Sequence, residues 1–213
     1  GFGGGFMGDV LKGTTVRIGT NTPDATSALN NSDIYIHGNI YGGNDVSGYV
    51  NVVLNKDGYF KDNGGTGTNI QIFGGHIYGD VYGAGNGNYL YANDRNGNKK
   101  VTVNEYYPLN PDDPKSETVP LVYTVPMRST MPSLRAATDA AKIVNINSWR
   151  PLTNRVSIHI NGTSATDTIR IDGNVYGGGN SATVQKVLAP DDEQLEDSDE
   201  MVGDVSVNIG SHV

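Results

Sequence analysis

The sequence of 213 residues contains no cysteine, which excludes disulfide bonds, thiolate metal ligands and thiol nucleophiles. Basic residues are also few. Fifteen Lys and Arg stand against 23 Asp and Glu, and the net charge is −8. A negative surface repels phosphate backbones, so nucleic acid is not an expected partner. No apolar run approaches the roughly 18 residues of a membrane-spanning helix, so no membrane span is expected in these residues.

Glycine is abundant, with 29 residues, roughly twice the usual ~7%. It follows no three-residue period, which excludes a collagen-like triple helix. Charged residues make up only 18% of the chain, which argues against disorder driven by charge repulsion. Asn, Thr and Ser are plentiful and helix formers are scarce. This composition predicts an all-β chain with many turns.

An aromatic-glycine phrase recurs along the chain. It begins at Phe2, Tyr41, Tyr82 and Tyr176, and the first three positions lie about 40 residues apart. The residues assigned to the repeat are Tyr41, Gly42, Gly43 and Asn44; Tyr82, Gly83 and Asn86; and Tyr176, Gly177, Gly178, Gly179 and Asn180. The copy at 41–44 is interpreted as lacking one glycine, and Ala84 replaces a glycine in the copy at 82–86. The glycines are expected to adopt the positive φ of a tight corner.

A polar residue precedes each phrase by two positions: Asn39, Asp80 and Asn174. If successive copies stack, these residues form a polar ladder at a turn, and the tyrosines form a column beside it. Copies that stack place one residue type above itself, which favours a parallel β-solenoid, also called a β-helix. A β-sandwich remains the alternative.

Short alternating strands lie between the phrases, for example at residues 16–18, 50–52, 70–72 and 156–160. Their alternation puts β-branched residues on one face and polar residues on the other. Gaps of about 16 to 20 residues between them favour two small coils in each repeat of about 40 residues.

We predict three parts for the chain. Residues 1–87 form solenoid coils, residues 88–154 form an insertion, and residues 155–213 continue the coils with an acidic loop at 184–201. The insertion contains proline-rich loops and a short helix predicted at 133–142. It also contains the aromatic residues that are candidates for binding a sugar or a protein: Tyr89, Tyr91, Tyr106, Tyr107, Tyr123 and Trp149. The alternative is that these side chains form a small core of the insertion itself.

Catalytic and metal sites have weak candidates. A carbohydrate-active β-helix would need two carboxylates on one face, and Asp80, Asp172 and Asp204 are the residues near strands. Their simpler interpretation is as turn and ladder residues, so no catalytic residue is assigned. No pair of histidines has metal-ligand spacing, and no cofactor is expected. Calcium is the one cation left open, because Asp- and Asn-rich corners provide oxygen ligands.

The phrases "VYGGGN", "GDVSVNIG" and "IYGDVYGAGN" resemble the glycine-rich repeats of large β-helical surface proteins of gut Bacteroidota. The resemblance covers residues 1–87 and 155–213. It implies an exported, adhesin-like or stalk-like module of the bacterial cell surface, without enzymatic activity. The expected partners are the rest of a longer chain and a host protein or glycan that contacts the insertion. A structural segment of a large secreted assembly and a carbohydrate-active β-helix remain alternatives.

Overall fold

The computed structural model describes residues 1–20, 31–55, 60–93, 99–108, 118–126, 150–162, 168–192 and 201–210. Within these ranges the regular structure is β, apart from one short 3₁₀ helix at Asn31–Asp33. The predicted all-β class is confirmed. The helix predicted at 133–142 lies outside the described residues.

The strands are short, as the frequent glycine and asparagine predict. In chain order they are β1 (Gly13–Ile18), β2 (Tyr35–Ile36), β3 (Ile40–Tyr41), β4 (Tyr49–Val50), β5 (Val52–Leu54), β6 (Phe60–Asp62), β7 (Gly67–Ile72), β8 (Gly75–Ile77), β9 (Val81–Tyr82), β10 (Leu90–Asn93), β11 (Lys99–Pro108), β12 (Thr118–Pro126), β13 (Leu152–Thr153), β14 (Arg155–Ile160), β15 (Ile169–Ile171), β16 (Val175–Tyr176), β17 (Thr183–Val184), β18 (Val187–Leu188), β19 (Met201–Val202) and β20 (Asp204–Ile209).

Four of the sheets are parallel throughout. The largest has the order β1-β7-β14-β20, and three smaller ones have the orders β2-β8-β15, β3-β9-β16 and β4-β13-β17. A fifth sheet, β5-β6-β18-β19, mixes parallel and antiparallel pairs. Successive strands of one copy therefore enter different sheets, and the next copy adds one strand to each of them.

The pairing sets the length of the repeat. Ile40 pairs with Val81, and Gly13 pairs with Gly67, so a strand meets its parallel partner only after a whole repeat of 40 residues or more. Among the described residues, no parallel pair joins segments 16 to 20 residues apart. The expectation of two small coils in each repeat is therefore wrong, because the short strands within one repeat belong to different sheets.

Aligned β-branched side chains form the main core. In the largest sheet, Val16, Ile70, Ile158 and Val207 occupy one register position, and both Ile70 and Ile158 are fully buried. Complete burial of such a side chain stabilises a fold by about 1.5–3 kcal/mol. The core cluster consists of Ile18, Ile40, Ile70, Ile72, Ile77, Val81, Ala84, Val156, Ile158 and Ile160. Alternation predicts this face correctly, since every second residue of β7 and β14 is buried.

One alternating triplet is not a continuous strand. Asn51 separates β4 from β5, adopts φ of 60° and is fully buried. Asparagine tolerates this left-handed conformation better than a β-branched residue does. The segment 50–52 is therefore a corner, although its sequence alternates like a strand.

The chain divides into two compact units, Gly1–Gly87 with Pro132–Val213, and Asn88–Met131. The second unit contains the antiparallel sheet β10-β11-β12, in which Val101 pairs with Tyr91 and Val125. Residues 152–153, which the sequence placed in the insertion, form β13 and pair with β4 and β17 of the first unit. No helix among the described residues is long and apolar enough to cross a membrane.

Candidate functional site: the repeat face and the insertion

The aromatic residues of the repeat stack in one column. Phe2 lies against Tyr41 with ring centroids 4.7 Å apart, Tyr41 against Tyr82 at 5.0 Å, and Tyr82 against Tyr176 at 4.8 Å. The interplanar angles are 7°, 8° and 13°, so the rings are nearly parallel. Parallel pairing of β3, β9 and β16 fixes this spacing, because neighbouring strands lie about 4.8 Å apart. Phe2 and Tyr176, at the ends of the column, are 41% and 42% exposed.

Asn39, Asp80 and Asn174 form a ladder beside the column. The side-chain oxygen of Asn39 accepts a hydrogen bond from the backbone N–H of Asp80 at 2.8 Å. Asp80 Oδ1 in turn accepts one from the N–H of Asn174 at 2.8 Å. Each side chain thus satisfies a backbone donor of the next copy, a role that either Asn or Asp can fill.

The ladder is bonded to the aromatic column. The hydroxyl of Tyr82 donates to Asp80 Oδ2 at 3.0 Å, and Asn39 Nδ2 donates to the hydroxyl of Tyr41 at 3.0 Å. The hydrogen bond from the Asn174 N–H is the main cause that lowers the pKa of Asp80. Burial first, and the hydrogen bond to Asp80 second, raise the pKa of Tyr82 to about 12.

The repeat-phrase glycines have a different role from the predicted one. Gly42, Gly43, Gly83 and the glycines at 177–179 all lie in the described part, and none has positive φ. The expectation of positive φ at these glycines is therefore wrong. Their neighbours leave no space for a side chain instead: a Cβ at Gly42 would lie 2.2 Å from the carbonyl oxygen of Gly83. A Cβ at Gly83 would lie 2.2 Å from Val156 Cγ1.

The register also corrects the alignment of the first full copy. Asp45, and not Asn44, bridges to Asn86, which bridges in turn to Asn180. The copy at 41–44 therefore lacks no residue. Asn44 stands where the later copies have Gly85 and Gly179, and it is buried. Its Oδ1 accepts from the Gly5 N–H at 3.0 Å and its Nδ2 donates to the Gly8 carbonyl at 2.8 Å, which fixes the N-terminal segment.

The aromatic candidates of the insertion lie on different strands. Tyr91 is in β10, Tyr106 and Tyr107 are in β11, and Tyr123 is in β12, while Tyr89 immediately precedes β10. The antiparallel register pairs Tyr123 with Val103 and Tyr107 with Val119. Trp149 lies outside the described residues. The strands thus bring most of these positions into one small sheet.

The carboxylate candidates are engaged in different places. Asp80 belongs to the ladder, Asp172 bonds to two cationic or polar side chains of the sheet β2-β8-β15, and Asp204 begins β20 and is exposed. Within the described ranges, no group of three or more His, Asp or Glu side chains is placed to hold a metal ion.

A buried polar network was missed by the sequence interpretation. Asp62 is fully buried and its Oδ2 lies 2.8 Å from a terminal nitrogen of Arg155, which also donates to the Gly65 carbonyl at 3.0 Å. Asn51 Nδ2 donates to Asp62 Oδ1 at 3.1 Å and to Asn154 Oδ1 at 3.0 Å. These residues lie up to 103 positions apart in the chain, so no local pattern links them. The only local signal is the turn sequence "DNGG" at 62–65.

Comparison with protein families, with curated proteins and with solved structures finds no match for this chain. The function must therefore be argued from the site itself.

Proposed function

We propose that the chain is a parallel β-solenoid module, extracellular or on a bacterial cell surface, that acts without catalysis as an adhesin or stalk. The observation that carries this proposal is the stacking of equivalent repeat positions: Tyr41, Tyr82 and Tyr176 in one column and Asn39, Asp80 and Asn174 in one ladder. A solenoid requires such stacking, since each coil contacts only its neighbours.

The insertion supports a contact role. β9 and β16 pair directly although the whole unit 88–131 lies between them in the chain. Lengthening a connection costs little free energy, because the loop-closure entropy grows only with the logarithm of length. A solenoid can therefore present a unit of this size without disturbing its pairing, and the several tyrosines in it have the amphipathic side chains that interfaces favour.

The extracellular location rests on the resemblance to surface repeats and agrees with a negative, cysteine-free chain. The aromatic column and the ladder offer no group poised for acid–base chemistry, because both oxygens of Asp80 already accept hydrogen bonds. A role in spacing and contact fits these saturated groups better than turnover.

The test is a binding screen of the whole chain against host matrix proteins and polysaccharides. It is run beside a variant with residues 89–131 replaced by a short Gly/Ser linker, which keeps β13 and its neighbours. We expect the whole chain to bind and the variant to lose binding while it keeps its β-sheet circular dichroism and cooperative unfolding. Release of reducing sugar from the polysaccharides would contradict the non-enzymatic proposal.

A structural segment of a large secreted assembly is the second candidate. It is favoured by apolar side chains of β20 that stay open: Val205, Val207 and Ile209 are 45%, 40% and 67% exposed. Failure of both proteins to bind, together with filaments or large oligomers in sedimentation velocity, would favour it over the adhesin.

A further inference from the structure

A second surface lies apart from the repeat face, on the sheet β2-β8-β15. Ile36, Ile77 and Ile171 of these strands face the core. The residues on either side of them form three adjacent pairs on the outer face, which we name the outer grid: Tyr35 with His37, His76 with Tyr78, and Arg170 with Asp172.

Contacts within the outer grid hold its central side chains in place. Asp172 Oδ2 lies 2.9 Å from His76 Nε2, and Asp172 Oδ1 accepts a hydrogen bond from Arg170 Nε at 2.7 Å. The ring of Tyr78 lies between two imidazoles, with centroid distances of 5.3 Å to His37 and 3.9 Å to His76. Side chains fixed before binding lose less conformational entropy when a ligand arrives.

The groups at the surface of the outer grid remain available. Tyr35 is 56% exposed, and the side chain of Arg170 is 66% exposed. Among the described residues, none bonds to the terminal nitrogens of Arg170, to the hydroxyl of Tyr35 or to Nδ1 of His76. The surface thus combines an open aromatic face with hydrogen-bond donors and acceptors that surround it.

We propose that the outer grid binds a neutral glycan. The apolar C–H face of a sugar ring packs on the exposed ring of Tyr35, as aromatic side chains bury large apolar area. The sugar hydroxyls bond to the free nitrogens of Arg170 and His76, and bonds to a charged donor are the stronger kind. This site is independent of the insertion and goes beyond the contact role proposed for it.

Size and charge decide between ligand classes. Three strands about 4.8 Å apart and residues two positions apart give a backbone footprint of roughly 10 by 7 Å. A stable protein partner needs about 800 Å² on each side, which is several times that area. One or two sugar rings fit it. Asp172 neutralises Arg170, and the chain carries a net charge of −8, which disfavours a polyanion.

The test is isothermal titration calorimetry of the whole chain with cellohexaose, mannohexaose, xylohexaose, galactohexaose and chitohexaose, and with polygalacturonate as the acidic probe. The variants are Tyr35→Ala and Arg170→Ala. The matched control is Arg17→Ala, since Arg17 is also an outward-facing arginine that bonds to one side chain, Gln71, on another sheet.

We expect at least one neutral oligosaccharide to bind, with affinity reduced tenfold or more in Tyr35→Ala and Arg170→Ala and unchanged in Arg17→Ala. The variant lacking residues 89–131 should bind the same oligosaccharide as tightly as the whole chain, which separates this site from the insertion. The proposal is overturned if no neutral oligosaccharide binds, if only polygalacturonate binds, or if the two grid variants bind like the control.

Discussion

At the scale of the residue, close backbone approach explains the glycines of the repeat phrase. Gly42 would place a Cβ 2.2 Å from the Gly83 carbonyl oxygen, whereas a Cβ at Gly178 would meet no atom within 4 Å. Ala84 occupies the same register column as Gly178, since its N–H donates to the Gly178 carbonyl. That column already accommodates a methyl group, and the column of Gly42 does not.

We therefore predict that Gly42→Ala lowers the free energy of unfolding by about 2 kcal/mol or more, because inserted atoms force the packed backbone to shift. Gly178→Ala is the matched control and should change it by less than about 0.5 kcal/mol. Urea denaturation followed by circular dichroism measures both. Equal losses in the two variants would show that glycine is needed for a reason other than close approach.

At the scale of the element, the ladder makes the sheet β3-β9-β16 sensitive to acid. Hydrogen bonding lowers the pKa of Asp80 below its unfolded value of about 3.9. The ionised form is thus favoured in the folded state. Its stabilisation is fully present above the unfolded pKa and is lost as the pH falls through the lower folded pKa.

Replacing Asp80 with Asn keeps an oxygen for the Asn174 N–H but removes the ionisation. We predict that Asp80→Asn reduces the loss of stability between pH 5 and about pH 2, measured as the shift of the urea midpoint. Asp204→Asn removes an exposed carboxylate that bonds to no described side chain and should keep the wild-type acid dependence. The same dependence in Asp80→Asn and wild type would exclude the ladder as its source.

At the scale of the whole molecule, stability should vary across the largest sheet. β7 and β14 pair on both sides, whereas β1 and β20 pair on one side only in the described sheet. The buried fraction follows the same order, since Ile70 and Ile158 are fully buried and Val207 is 40% exposed in the same register column.

We predict that amide hydrogens of β7 and β14 exchange more slowly than those of β1 and β20, because opening a central strand breaks two rows of hydrogen bonds and exposes the core. Native-state hydrogen exchange read by NMR measures this order. Uniform protection over the four strands would mean that the sheet opens as one cooperative unit instead.

Much of this architecture could be predicted from the local pattern. Alternation at 70–72 and 156–160 identifies the buried face, and the recurrence of one phrase identifies strands that pair in parallel. Both predictions depend on contacts between equivalent residues, so the repeat itself encodes the partner. The corner at Asn51 could not be recognised in this way, because its neighbours alternate like those of a strand and only its φ of 60° distinguishes it.

The sequence by itself determined the all-β class and the parallel pairing, because glycine, asparagine and alternating β-branched residues act locally and recur at a fixed interval. Only the tertiary structure decided the register that aligns Asp45 with Asn86, the burial of Asp62 against Arg155, and the outer grid. Each of these joins side chains from different copies or distant segments. Their proximity depends on how strands distribute among sheets, which no single stretch of the sequence specifies.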